Sequence, residues 1–289
     1  MGHDPEAVIK ALIVLLEDED IKIARVAQEN LVDLGPRALT HLKASFQQVP
    51  EPSLKARIRF CIDKIQARWV DAQFGLFTCQ EDEKLDLERG ALLIGRVVDP
   101  DLDEERFRSS LDGMVQEIRR RMQGLTDPKA ILETVNTVFF GELKFTGNQK
   151  DDYEPENSVV HRVLERKTGI AIILSVIYLL IAQRLGLPID GIGMPGHFLV
   201  KYESPEYVIF IDPFNAGQLL NAQECAQFLI NLGYGFEPAF LARVGVREVL
   251  SRMLRNLISI YATRGDRAME ERFGHYLKLL SEPALTRQP

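Results

Sequence analysis

The run Gly169 to Ala182, GIAIILSVIYLLIA, constrains this chain more than any other feature. An α-helix needs about 20 apolar residues to cross a bilayer, so this run is too short to span one and reads as a buried helix. Ile172, Ile173, Leu174, Val176, Ile177, Leu179 and Leu180 leave almost no polar face, the pattern of a central core helix. The rest of the chain must supply the walls around it. With 289 residues, 46% of them hydrophobic, it has the material for that core and for one large or two to three small domains.

Most of those walls read as helical. Asp4 can cap a helix with Pro5 at its first position, and Val8, Leu12, Leu15 and Leu16 recur at helical spacing. After a break at Asp18-Glu19-Asp20, a second apolar face runs through Ile23, Val26, Ala27, Leu31 and Leu34 and closes at Gly35-Pro36. Helices over 37–49 and 53–70 follow, separated by Pro50-Glu51-Pro52. Further helical faces lie between 85 and 125 and over 129–143. The tail from 246 gives two more faces, Val249 to Tyr261 and Ala268 to Leu280, divided by Gly265-Asp266.

The period changes between 188 and 214. Ile189 to Met194 is a short segment ending at Pro195-Gly196. His197 to Tyr202 and Tyr207 to Ile211 read as strands, broken by Ser204-Pro205 and ended by Asp212-Pro213. Strands joined this tightly form an antiparallel hairpin. If Glu203 faces Glu206, then His197 faces Asp212 across it, with Cβ atoms about 5 Å apart on one face. A carboxylate at that distance can orient an imidazole.

Composition excludes several functions. A net charge of −7 gives no bulk attraction for nucleic acid, and the short run Arg119-Arg120-Arg121 reads as a solvated helix face. Cys61, Cys79 and Cys225 are odd in number and widely spaced, which fits a reducing, cytoplasmic setting without disulfides. Residues 1–5 lack the basic and apolar regions of a signal peptide. The five histidines show no HExxH or HxxxH spacing, and there is no GxxxxGK[ST] or GxGxxG. Neither a metal nor a nucleotide cofactor is expected.

The segment from Phe139 to Gly217 contains NSVVHRVLERKTGI, LGLPIDGIGMPGHFLV and IDPFNAG in that order. It closely resembles the SirB family of transglutaminase-like proteins. The resemblance extends loosely back to about Glu88 and forward into a tail, NLISIYATRGDRAMEERFGHYLKLLSEP, that is similar to one tetratricopeptide repeat. Outside it, LLEDEDIKIARVAQENLVDLGPRAL resembles a HEAT repeat, with Asp20, Arg25 and Ala27 in place, although any four-helix packing unit would read similarly.

The resemblance implies a Cys–His–Asp arrangement in which a helix N-terminus and an imidazole lower the pKa of a thiol and a carboxylate orients the imidazole. It puts the imidazole at His197 and the carboxylate at Asp212. The thiol position, two residues after Gly169, is Ala171, which has no nucleophile. Ser175, one turn deeper on the same helix face, is the alternative nucleophile. A buried helical serine more commonly bonds its own backbone. Cys225 is a more distant replacement thiol. His197 could equally be a satisfied core histidine and Asp212 a turn former. Asn157, Arg162, Glu165 and Arg166 match the family pattern. Asn157-Ser158 reads as a helix cap, while Arg162 and Arg166 can pair Glu165 or line the cleft.

The expectation is therefore an α+β fold, mostly α. It has HEAT-like helices over 1–70, a transglutaminase-like core over 71–245 with a central helix against a small antiparallel sheet, and a tetratricopeptide-like helix pair over 246–289. The leading function is a non-enzymatic adaptor or regulator for a protein or peptide partner. Alternatives are a weak hydrolase or acyl-transfer enzyme using Ser175 with His197 and Asp212, and a binder of small ligands or peptides in the vestigial cleft. The sequence does not name the partner or the oligomeric state.

Overall fold

The computed structural model describes residues 4–149 and 154–282. The chain divides into two compact units, Met1–Leu76 and Phe77–Pro289.

The first unit is built from α1 (Pro5–Leu15), α2 (Ile21–Leu34), α3 (Pro36–Gln48) and α4 (Pro52–Thr78). Their starts follow from side chains that satisfy free amides at helix N-termini. Asp4 accepts from Glu6 N, Asp20 from Lys22 N at 2.8 Å, and Glu51 from Ser53 N and Leu54 N. Each such cap stabilises a helix by about 1 kcal/mol. Gly35, at φ +63°, ends α2 and lets Pro36 begin α3 at once. Ile9, Leu16, Ala27, Leu31, Leu42, Ile58 and Ile62 form the core. The helix expected over 53–70 runs to Thr78 instead. Val70, Phe74 and Phe77 continue its buried face, and no proline interrupts it.

The second unit opens with α5 (Leu87–Val98), α6 (Glu104–Arg121) and α7 (Pro128–Asn136). The helix expected over 129–143 changes character at Thr137. Residues Thr137–Glu142 form a π turn, with Leu143 N donating to Val138 O at 2.9 Å. Next come β1 (Thr146–Gly147), a 3₁₀ turn at Pro155–Ser158, α8 (Val160–Arg166), β2 (Thr168–Gly169) and α9 (Ala171–Leu185). α9 is the apolar run, and every residue from Ile172 to Ala182 is buried. It ends at Gly186, φ +74°, where Leu187 N returns to Ala182 O.

Then follow β3 (Ile189–Ile192), β4 (Leu199–Glu203), β5 (Val208–Asp212), β6 (Gln218–Leu220), α10 (Ala222–Asn231), β7 (Arg243–Val244), α11 (Val246–Arg264) and α12 (Arg267–Ser281). The five strands make one antiparallel sheet in the order β6-β5-β4-β3-β7, and α9 packs against β3 and β4. The protein is thus mostly α with a small antiparallel sheet against a central helix. Among the described residues, no helix is long and apolar enough to cross a membrane.

Two local expectations are corrected. Glu203 pairs with Val208, not Glu206, because Ser204 and Tyr207 form a further rung around Pro205-Glu206: Ser204 N donates to Tyr207 O at 2.9 Å. The register is shifted by two residues, which preserves the face of every side chain. Asn157 and Ser158 do not cap a helix. Both are buried in the 3₁₀ turn, and α8 begins beyond them without a side-chain cap.

Candidate functional site

α9 begins at a junction fixed by backbone pairing. β1 and β2 pair in parallel, and Ile170 N donates to Asn157 O at 3.2 Å. Ile170 is extended and α9 has no side-chain cap. Ala171 is its first residue and therefore lies at the positive end of a 15-residue helix.

His197 lies two residues short of β4 rather than within a strand, as had been expected. Pro195-Gly196 turns the chain, with Gly196 at φ +70°, and His197 N donates to Met194 O. Off the ladder, the imidazole is free to point along the end of the sheet. Its Nε2 is 2.8 Å from Asp212 Oδ2, and only 9% of the side chain is exposed. Phe214 and Phe228 flank the ring, with centroids 6.0 and 5.0 Å away.

Asp212 ends β5 and is 1% exposed. Its Oδ1 accepts from Phe214 N and Asn215 N at 3.0 and 3.2 Å, and its Oδ2 accepts from Asn215 Nδ2 at 2.8 Å. Burial alone would raise its pKa. The hydrogen bond and charge of His197, together with the Asn215 contacts, outweigh burial and hold the carboxyl below its ordinary 3.8. Asp212 is thus both a turn former and the partner that fixes His197.

A cavity of about 470 Å³ opens beside this pair. His197, Gly196 and Phe214 line it from the sheet side, Ala171 and Ile172 from the start of α9, and Arg252 and Asn256 from α11. His197 and Ala171 therefore both line this cavity. With Nε2 held by Asp212, Nδ1 has no hydrogen-bond partner among the described residues.

The other candidates lie elsewhere. Ser175 is fully buried, donates to Phe198 O at 3.4 Å and does not line the cavity. Cys225 is buried in α10. Burial first, then the negative charges of Glu224 and Asp212, push its thiol up to about 12. Arg162 pairs Asp99 and Glu165 at 3.0 and 3.1 Å, and Arg166 pairs Glu154 and Glu156. Neither arginine borders the cavity, and Asn157 is packed beneath α9 through its backbone carbonyl. Among the described residues, no group of His, Cys, Asp and Glu could hold a metal.

Sequence reasoning predicted α11 but missed its part in the site. Arg252 Nη2 donates to Met194 O at 2.9 Å and to His197 O at 3.2 Å, tethering the turn that carries the imidazole. Its guanidinium lies 5.4 Å from the Phe198 ring centroid. No carboxylate among the described residues is within ion-pair distance of it. Arg252, Asn256 and Ser259 recur at i, i+4 and i+7, a polar stripe that the apolar periodicity of the same helix conceals. A brace was missed as well: Tyr178 on α9 donates to Asn136 Oδ1 at 3.0 Å, and Asn136 Nδ2 donates to Gly217 O at 2.8 Å in the turn after Asp212.

A central helix starting against an antiparallel sheet, with a His–Asp pair beside its first residue, is the transglutaminase-like arrangement. Residues 105–255 match the transglutaminase-like superfamily, and the chain belongs to it. Within that class, it is 36% identical over 196 residues to a UPF0162 protein of Xylella fastidiosa (strain 9a5c), covering 65% of this chain and 70% of that one. It is 35% identical over 168 residues to F-box only protein 21 of Mus musculus, covering 55% of this chain and 25% of that one. A UPF0162 protein of Vibrio cholerae is 28% identical over 154 residues, covering 53% and 57%. No solved structure matches the chain.

Proposed function

We propose that this chain is a non-enzymatic adaptor or regulatory protein of SirB type, which binds a protein or peptide partner by means of a transglutaminase-like unit that has lost its nucleophile. One observation carries the reading: the cavity keeps His197 and Asp212 at 2.8 Å but presents the methyl group of Ala171 where a thiol would react. An imidazole with no nucleophile to deprotonate can still orient and hold a bound group. Loss of a nucleophile typically costs several orders of magnitude in rate. Ser175 does not restore it, because its hydroxyl donates to Phe198 O and does not line the cavity.

The surroundings support a macromolecular ligand. Tyr234 packs beside Gly196 of the cavity wall, and Ile230, Leu232, Tyr234 and Phe236 are all exposed. Such apolar residues in a short run are a common mark of an interaction surface. The match to a quarter of F-box only protein 21 places a similar segment inside a longer chain. A HEAT-like front, a tetratricopeptide-like closing pair and a cytoplasmic setting belong to the same proposal. They are supported by the helical hairpins at both ends and by three free cysteines.

The test is affinity capture from lysate with cross-link mapping. The expected partner cross-links near residues 230–236 and is lost in Leu232→Ser/Phe236→Ser. Capture of nothing under mild salt counts against the adaptor, as does His197-dependent turnover of an ester or amide. Labelling by a serine-directed probe that vanishes in Ser175→Ala would favour the hydrolase instead.

A further inference from the structure

We propose that Lys167 is a covalent acceptor for a small neutral aldehyde, which its amine takes up as an imine in a second cavity of this unit. The proposal goes beyond the adaptor reading, because this cavity shares no lining residue with the one beside His197.

The backbone sets the place of this lysine. Lys167 ends α8 in the left-handed region, at φ +62°, a position that commonly takes glycine. Its N–H donates to Val163 O at 2.8 Å, and its carbonyl accepts from Thr146 N at 2.9 Å. Both main-chain groups are tied, so the direction of the side chain is fixed. Residues with side chains held in such backbone conformations cluster at functional sites.

The amine has lost water without gaining a counter-charge. On the same helix, Arg162 pairs Asp99 and Glu165, and Arg166 pairs Glu154 and Glu156. No carboxylate among the described residues lies within ion-pair distance of Lys167. Its Nζ lies instead 4.4 Å from the centroid of the buried Phe145 ring. The ring face attracts the ammonium, while burial pushes the amine below its ordinary 10.5. A lysine dehydrated in this way has more of its neutral, nucleophilic form near neutrality than an exposed one.

The cavity selects the partner. Lys167 lines a volume of about 320 Å³, in the range of small-molecule pockets, with buried Leu102, Phe107 and Leu164 as apolar wall. Among its lining residues, the carboxylates of Asp99, Asp101, Asp103 and Glu165 outnumber Arg106, which disfavours an anionic guest. A neutral aldehyde with a short apolar body matches both the wall and the charge. The step balances without a further reagent. The amine lone pair forms the N–C bond to the carbonyl carbon, and the C–O bond then breaks. The oxygen leaves as water with the two amine protons, and an imine remains.

The full chain is incubated near neutral pH with benzaldehyde and sodium cyanoborohydride, which reduces the imine to a stable benzylamine, and labelled lysines are ranked by peptide mass mapping. Lys167 should be labelled about fivefold or more faster than the exposed Lys22, and should reach half its maximal rate at a lower pH. The preference should disappear in urea. It should also fall by about fivefold with the anionic 4-carboxybenzaldehyde. Ser110→Trp puts a ring into the cavity from an exposed position on α6. It should slow Lys167 by about fivefold while leaving Lys22 and the far-ultraviolet spectrum unchanged. Equal labelling of Lys167 and Lys22 by benzaldehyde, an undiminished preference with the charged aldehyde, or an unaltered Lys167 rate in Ser110→Trp overturns the proposal.

Discussion

His197 is held by Asp212 through Nε2 at 2.8 Å, and Asp212 is itself held by the amides of Phe214 and Asn215 and by the Asn215 side chain. The carboxylate therefore organises the turn as well as the imidazole. Removing one member of a buried pair leaves the other groups unsatisfied. Asp212→Ala should destabilise the protein by roughly 3 kcal/mol. Asp212→Asn, which keeps the shape, should cost about 1–2 kcal/mol. Urea unfolding checks both, and a midpoint unmoved in Asp212→Ala would contradict the assignment.

The same carboxyl sets a pH dependence. Its folded pKa lies below the ordinary 3.8, so the folded state releases its proton more readily than the unfolded chain does. The stability this confers is fully present above about pH 5 and is lost as pH falls through the folded pKa. Urea midpoints measured from pH 6 down to pH 2 should fall more steeply for the native chain than for Asp212→Asn. Superimposable curves would show that Asp212 is not the group responsible.

Tyr178, Asn136 and Gly217 connect the middle of α9 to the turn that carries Asp212. Asn136→Ala removes both bonds of the bridge. The expected loss is about 1–2 kcal/mol in thermal or urea unfolding. Gly217 is at φ +74°, and a Cβ there would lie 2.5 Å from the Phe140 ring, so Gly217→Ala should also destabilise. Unchanged stability in both variants would remove the brace from the account.

The three thiols should differ in reactivity. Cys79 is exposed, whereas Cys61 and Cys225 are buried, with thiols pushed up by burial to about 11 and about 12. Only thiolates react with a disulfide reagent such as dithionitrobenzoate. One thiol should react within minutes in the native protein, and the other two only on unfolding. Rapid reaction of Cys225 would reopen it as a replacement nucleophile.

The sequence carried the central helix and the His197–Asp212 pair because both are local patterns: an apolar run, and two strands separated by a short turn. The direct opposition inferred for the pair was not how they meet. The ladder is shifted by two residues and His197 lies off it, but a shift of two keeps each side chain on its face, so the pair survived the error. Arg252 was illegible for a different reason. It is far along the chain from His197, and its helix reads as a core element because Leu250, Met253, Leu254 and Leu257 dominate the period. The π turn after Asn136 leaves no compositional mark, since a change of one residue in hydrogen-bond spacing does not alter which side chains are apolar. α4 runs past the end expected at 70 because Phe74 and Phe77 continue its buried face.

The most direct measurement places a thiol at position 171. Native chain, Ala171→Cys and Ala171→Cys/His197→Ala are incubated with p-nitrophenyl acetate, and adducts are located by peptide mass mapping. A thiol at the start of α9 beside His197 should have a lowered pKa. The account predicts an acetyl adduct at position 171 in the single variant, formed about tenfold or more slowly in the double variant, and no His197-dependent adduct anywhere on the native chain. A His197-dependent acyl adduct on the native chain would contradict it.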